Sequence, residues 1–82
     1  MPKIKPLRSD LKLYLKRRNL DKKFKKQTEL FERDLSYPSL NVELLEPKKR
    51  RVFSFRIDKK FRAIFVYRNG DVEIIDINPH YE

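Results

Sequence analysis

The sequence predicts one small α+β domain, a helical hairpin packed on a mainly antiparallel twisted sheet. Three observations predict it: helix-period apolar spacing confined to the first half, period-2 alternation confined to the second, and an Asn-Gly pair between two strand-like runs. With 82 residues the chain is read as one domain over 1–82, burying a little over ~60% of the surface its unfolded form exposes. Six Phe and four Tyr suffice for one core.

Each element has its own signal. Lys3 to Lys5, between Pro2 and Pro6, reads as a short first strand at a sheet edge, where proline is tolerated. Ser9 is a good N-cap and Asp10 suits a first turn. Leu11, Tyr14, Leu15 and Arg18 recur at helical spacing, so a helix is expected over 10–18, broken at Asn19. Leu20, Phe24, Phe31 and Leu35 extend a second amphipathic helix to about residue 35, with Lys22, Lys23, Lys25 and Lys26 toward solvent. Tyr37-Pro38-Ser39 stops it.

Val42–Leu45 is read as a short strand before a basic loop at 47–51. Arg51–Ile57, Phe61–Tyr67 and Val72–Ile77 are read as three longer strands. Asn69-Gly70 is a type I′ hairpin signal, because that turn needs positive φ at both central residues. A two-residue turn there pairs Arg68 with Asp71, Tyr67 with Val72 and Phe65 with Ile74. A loop at 58–60 pairs Ile57 with Phe61 and Arg56 with Arg62. One face then carries Phe53, Phe55, Ile57, Phe61, Phe65, Tyr67, Val72 and Ile74, the seat for the helices. The other carries Val52, Ser54, Arg56, Arg62, Ile64, Val66, Ile75 and Ile77.

Charge narrows the function. Twenty-one Lys and Arg against twelve acids give +9 and a pI near 10.0. A small domain this basic meets phosphate or an acidic protein, unless the charge only confers solubility. No apolar run is long enough to cross a bilayer, none follows Lys3 and Lys5 as in a secretory leader, and the helices lack a bulky interfacial face, so no membrane partner is expected. Zero Cys excludes disulfides, a thiolate nucleophile and a cysteine metal site, and fits a reducing cytoplasm. One His leaves only carboxylates as further ligands, so neither a metal nor a cofactor is expected.

Facing arginines on a sheet repel, so the Arg56–Arg62 pair calls for an anion. The guanidinium fork holds phosphate oxygens bidentately and stays protonated. The competing reading pairs each arginine with a carboxylate such as Glu73, or has it simply snorkel to solvent. His80, the only histidine, follows the last strand beside Tyr81 and near the start of the middle strand; it is a proton-transfer group or a solvent-exposed bystander. Glu43 offers a second such group. A base, an acid and two cations around one phosphate are what metal-free RNA cleavage requires. Lys48, Lys49, Arg50 and Arg51 are read as a loop touching RNA backbone, or as a solvated loop.

The stretch from Val52 to Phe65 resembles the core pattern of the RelE/ParE toxin superfamily: an aromatic, Ser, an Arg-Ile pair, a short polar turn, then Arg followed by β-branched and aromatic residues. Tyr37-Pro38-Ser39-Leu40 resembles its helix-to-strand junction, and Ile77-Asn78-Pro79-His80-Tyr81 its terminal strand with the catalytic His-Tyr. Residues 37–82 carry the likeness, and the helical hairpin matches it in outline. The ordered positions Glu43, Arg56, Arg62, His80 and Tyr81 are similar to the YoeB-like branch.

That resemblance implies a RelE-like fold and a toxin of a type II toxin–antitoxin system, cutting mRNA in the ribosomal A site and thereby inhibiting translation. It implies Glu43 as general base toward the ribose 2′-hydroxyl, Glu46 being the alternative. Arg56 and Arg62 would stabilise the phosphate, His80 protonate the leaving 5′-oxygen, and Tyr81 orient the RNA. The implied partners are mRNA, ribosomal RNA and a cognate antitoxin protein, for which the half-apolar second face is a docking surface. A gyrase-directed toxin of the same superfamily and a non-catalytic basic RNA-binding module are the alternatives. The first needs no such constellation, and the second leaves the arginine pairing and His80 as coincidences.

Overall fold

The computed structural model describes residues 3–79. Two helices, α1 (Ser9–Arg17) and α2 (Asp21–Arg33), precede four strands: β1 (Glu43–Leu44), β2 (Phe53–Arg56), β3 (Phe61–Arg68) and β4 (Asp71–Pro79). The strands form one antiparallel sheet in the order β1-β2-β3-β4. The α+β class and the helical hairpin are as expected from the sequence. Lys3–Lys5 adds a short parallel contact at the β4 edge: Val72 N–H donates to the Lys3 carbonyl and Lys5 N–H to that of Val72, each at 2.8 Å.

The helix boundaries obey local chemistry that differs from the expected caps. Arg8, not Ser9, is the N-cap of α1 and gives no side-chain cap bond. Its guanidinium instead pairs with Asp10 at 3.1 Å. Asn19 breaks the hairpin with φ 57°, a left-handed conformation Asn tolerates. Helix α2 stops at Arg33, ahead of Tyr37-Pro38-Ser39. The Asp34 carboxylate accepts from the Ser36 N–H at 2.9 Å and hydroxyl at 2.7 Å, a local turn that competes with another helical residue. Pro38 instead opens a single 3₁₀ turn, Pro38–Leu40.

The core lies between the helices and one sheet face. Leu11, Leu15, Leu20 and Phe31 from the helical half bury against Phe55, Ala63, Phe65, Val72, Ile74 and Ile77. Phe31 is 0% exposed, with its ring 5.1 Å from that of Phe55 and 5.2 Å, edge-on, from that of Phe65. Such tilted and T-shaped arrangements suit the ring quadrupoles. The lysines at 22, 23, 25 and 26 are exposed.

The β3–β4 turn has the expected chemistry. Asn69 has φ 54° and Gly70 φ 83°, and Arg68↔Asp71, Tyr67↔Val72 and Phe65↔Ile74 pair as read from the sequence. A Cβ on Gly70 meets nothing within 4 Å, so only the backbone conformation resists substitution there. Gly70→Ala is therefore expected to destabilise the domain by about 1–2 kcal/mol, seen as a lower urea midpoint at unchanged m-value; an unchanged midpoint would contradict the strain.

Beyond Ile74 the register slips. Phe65 pairs with Ile74 but Ile64 pairs with Asp76, leaving Ile75 without a partner. This extra residue reverses the facing of the rest of β4. Ile77, expected on the second face, stands opposite Ala63 in the core at 2% exposure. Asp76 and Asn78 take the second face instead, opposite Ile64 and Arg62.

Candidate functional site

Two rungs cross the second face. One runs Glu43, Ser54, Ile64, Asp76, and the other Arg56, Arg62, Asn78. The bulge makes this face more polar than alternation suggested, which weakens it as an apolar docking surface. The asparagine and aspartate reach it only through the slipped register.

Arg62 is the centre of the site. Although charged, it is 4% exposed. Its Nε–H donates to the Ser54 hydroxyl at 2.9 Å, and Nη2 donates to the Asn41 carbonyl and, more weakly, to that of Ser54 at 3.4 Å. Asn41 presents that carbonyl from a left-handed conformation, φ 44°, at the end of the 3₁₀ turn. Nη1 is buried and has no hydrogen-bond partner among the described residues. Burial holds the guanidinium below its ordinary pKa; the Glu43 carboxylate opposes that shift and the Arg56 charge adds to it.

Glu43 comes from the two-residue strand β1, which places Glu43 Oε2 at 3.8 Å from Arg62 Nη2. Its side chain is 43% exposed, so one partner of this ion pair is buried and the other remains open to solvent. Glu46, the alternative base, is exposed and makes no ion pair among the described residues. Arg56 stands directly opposite Arg62, as the loop at 58–60 implied. That loop is held by Asp58, whose carboxylate accepts from the Lys60 and Phe61 N–H groups at 2.8 Å each. Burial tends to raise the Asp58 pKa, but those donors and nearby Lys23 outweigh it and hold it low. Arg56 is exposed and pairs with no carboxylate among the described residues. Glu73, weighed as a neutralising partner, binds Arg68 at 3.5 Å instead.

His80 and Tyr81 lie outside the described residues. Pro79, immediately before them, pairs with Phe61, next to Arg62. The basic loop is not brought to the arginine pair. Lys48–Arg50 form a 3₁₀ turn and Arg51 comes next with φ 55°, all four exposed. They precede β2, whereas Arg56 ends it, roughly 10 Å away along the strand from Phe53. Arg51 lies over the Phe53 ring, 5.4 Å from its centroid.

Two positions escaped the sequence reading as parts of the site. Alternation puts Ser54 on the correct face but assigns it no partner; its signal is a small hydroxyl residue between Phe53 and Phe55, diagonal to Arg62. Gln27 occupies the helix face between Phe24 and Phe31, spaced by three and four residues. It is buried, and its amide donates to the Arg56 carbonyl at 2.8 Å and the Ser39 carbonyl at 3.0 Å. One side chain thus ties α2 to the strand end carrying Arg56.

The described residues contain no group of three or more His, Cys, Asp or Glu side chains placed to hold a metal ion. No helix among them is long and apolar enough to cross a membrane.

Comparison with known proteins agrees with the fold and gives it a family. Residues 8–80 match the family described as RelE-like toxin of type II toxin-antitoxin system HigB. An uncharacterized protein of Haemophilus influenzae (strain Rd) is 40% identical over 45 residues, which make up 55% of this chain. The matched stretch spans 45% of that relative's length.

Proposed function

Because the chain belongs to the HigB-like family of RelE-like type II toxins, we propose that it is a metal-free endoribonuclease cutting mRNA in the ribosomal A site, with a site of YoeB-like arrangement. The observation that carries this reading is the facing of Arg56 and Arg62 on one sheet face, with the Glu43 carboxylate 3.8 Å from Arg62. Two guanidiniums opposite each other favour a dianionic occupant, and phosphorane oxygens acquire that charge during phosphodiester cleavage. The carboxylate beside them supports the reading, since such a group can accept a proton in phosphodiester cleavage.

In the proposed reaction Glu43 takes the proton of the ribose 2′-hydroxyl. The 2′-oxygen attacks phosphorus while the bond from phosphorus to the 5′-oxygen breaks. His80 protonates that leaving oxygen, giving a 2′,3′-cyclic phosphate and a 5′-hydroxyl end. Arg56 and Arg62 stabilise the charge that builds between these events, and Tyr81 orients the RNA. Lys48, Lys49, Arg50 and Arg51 contact RNA backbone away from the reacting phosphate, consistent with their place at the far end of β2. The cellular partners are mRNA and ribosomal RNA, together with the cognate antitoxin that a type II toxin implies.

The test is mapping of RNA 5′ ends on a programmed ribosome with the antitoxin-free protein and its His80→Ala variant. A new cut in the A-site codon that His80→Ala abolishes is the expected result. Absence of a cut from the folded wild-type chain would reject the nuclease and leave the gyrase-directed toxin or the binding module. A cut unaffected by His80→Ala would reject the assigned acid.

A further inference from the structure

We infer that Ser54 is a positioning residue for Arg62, one jaw of a clamp whose other jaw is the Asn41 carbonyl; the catalytic part of this inference rests on the nuclease reading. A guanidinium carries five N–H donors in one plane. Contacts at Nε and Nη2 fix that plane by two points along one edge. The Nη1 donors are left uncommitted among the described residues. Arginine otherwise keeps several rotatable bonds, and ordering such a side chain costs conformational entropy. The clamp supplies that ordering before substrate arrives.

The placement of Ser54 is specific to this task. It is 1% exposed, and a buried hydroxyl is stable only with a hydrogen-bond partner. Its side-chain bond is to Arg62 and not to a local turn. The β2–β3 register sets Ser54 opposite Ile64 and Arg56 opposite Arg62, so Ser54 reaches Arg62 across the diagonal. Alternation along Phe53-Ser54-Phe55 keeps its flanking aromatics on the core face while the hydroxyl meets the arginine. Ser54 itself touches no reacting atom in the proposed chemistry. It acts through Arg62.

A misplacement of about 1 Å in a positioning contact costs on the order of 10²-fold in rate. Ser54→Ala is expected to lower kcat for ribosomal cleavage by about 10–100-fold with KM nearly unchanged, on that same geometric ground. Ser54→Thr, which keeps the hydroxyl, is expected to restore most of the rate.

The decisive experiment combines a double-mutant cycle with an NMR readout on the full chain. Cleavage rates are measured for wild type, Ser54→Ala, Arg62→Ala and the double variant, with Ser54→Thr as the hydroxyl-retaining control. The exchange protection of the Arg62 Nε–H is followed in wild type, Ser54→Ala and Ser54→Thr. A residue acting through Arg62 adds no loss once Arg62 is absent, and protection falls in Ser54→Ala but persists in Ser54→Thr. A further loss in the double variant, or unchanged protection in Ser54→Ala, overturns the inference. If Ser54→Ala fails to fold, loss of cleavage or protection in Ser54→Thr overturns it. A wild-type chain that keeps the protected Nε–H but does not cut overturns the nuclease reading and the positioning role, while the clamp geometry stands.

Discussion

Arg62→Met is expected to lower cleavage by about 10²–10³-fold, the size of effect produced by removal of one preorganised donor from a developing oxyanion, while the domain stays folded. The fold survives because the ion pair is asymmetric. Removing one member of a buried pair is usually costly because the other is stranded. Here Glu43 is 43% exposed and regains water when Arg62 is lost. The Ser54 hydroxyl and Asn41 carbonyl do lose donors, at about 1–3 kcal/mol each if left unsatisfied. Relief of a desolvated charge, also several kcal/mol, offsets that loss. Methionine is a long, flexible side chain that can occupy similar space without a charge. Arg62→Lys provides the complementary arm: it keeps the charge but has no planar fork to bond Ser54 and Asn41 while presenting further donors. It is expected to stay within tenfold of Arg62→Met in rate, on that geometric ground. Single-turnover cleavage and urea titration measure the two effects. Wild-type rates from Arg62→Lys would mean that charge suffices. Wild-type rates from Arg62→Met would remove Arg62 from the chemistry.

The facing of Arg56 and Arg62 and the start of the β3–β4 register were both legible because a short loop fixes each. Asn69-Gly70 sets β3 against β4, and the loop at 58–60 sets β2 against β3. Both rest on local chemistry: positive φ in the first, and Asp58 collecting backbone N–H groups in the second. The bulge at Ile75 was not legible. Val72-Glu73-Ile74-Ile75-Asp76-Ile77 contains no Gly or Pro to mark it, and isoleucine suits either facing. Only packing decides, by drawing Ile77 to Ala63 and turning Asp76 and Asn78 outward. Apolar patterning therefore overstated the apolar character of the second face. The true end of α2 was hidden by the more conspicuous Pro38, although Asp34 and Ser36 form the stop. Ser54 was hidden for a different reason: alternation gives a face, while the bond to Arg62 depends on a diagonal contact between strands. The same limit applies to Gln27, whose two carbonyl acceptors lie 12 and 29 residues away in sequence.

Phe31→Ala is expected to have the largest effect on stability, about 3–5 kcal/mol. A chain of this length has roughly 4–12 kcal/mol in total at the usual per-residue stability, so the substitution removes about a quarter of it or more. Phe31 is wholly buried from α2, and its ring meets both Phe55 and Phe65, whose own rings are 5.9 Å apart. Alanine leaves a gap bounded by two strands whose positions are fixed by backbone pairing, so the surroundings can close on it only in part. The expected observation is a large fall in urea midpoint, with Phe31→Leu losing less because it retains most of the volume. A loss under about 1 kcal/mol would mean that the site collapses around the missing ring, against the spread seen for buried aromatics. The functional consequence separates packing from chemistry. Helix α2 also carries Gln27, which holds the Arg56 carbonyl, so weakening the Phe31 contact lowers the fraction of molecules in which the arginine pair is assembled. Cleavage by Phe31→Ala should therefore fall with the folded fraction and recover in a stabilising osmolyte, whereas cleavage by Arg62→Met should not recover under any condition that merely favours the folded state.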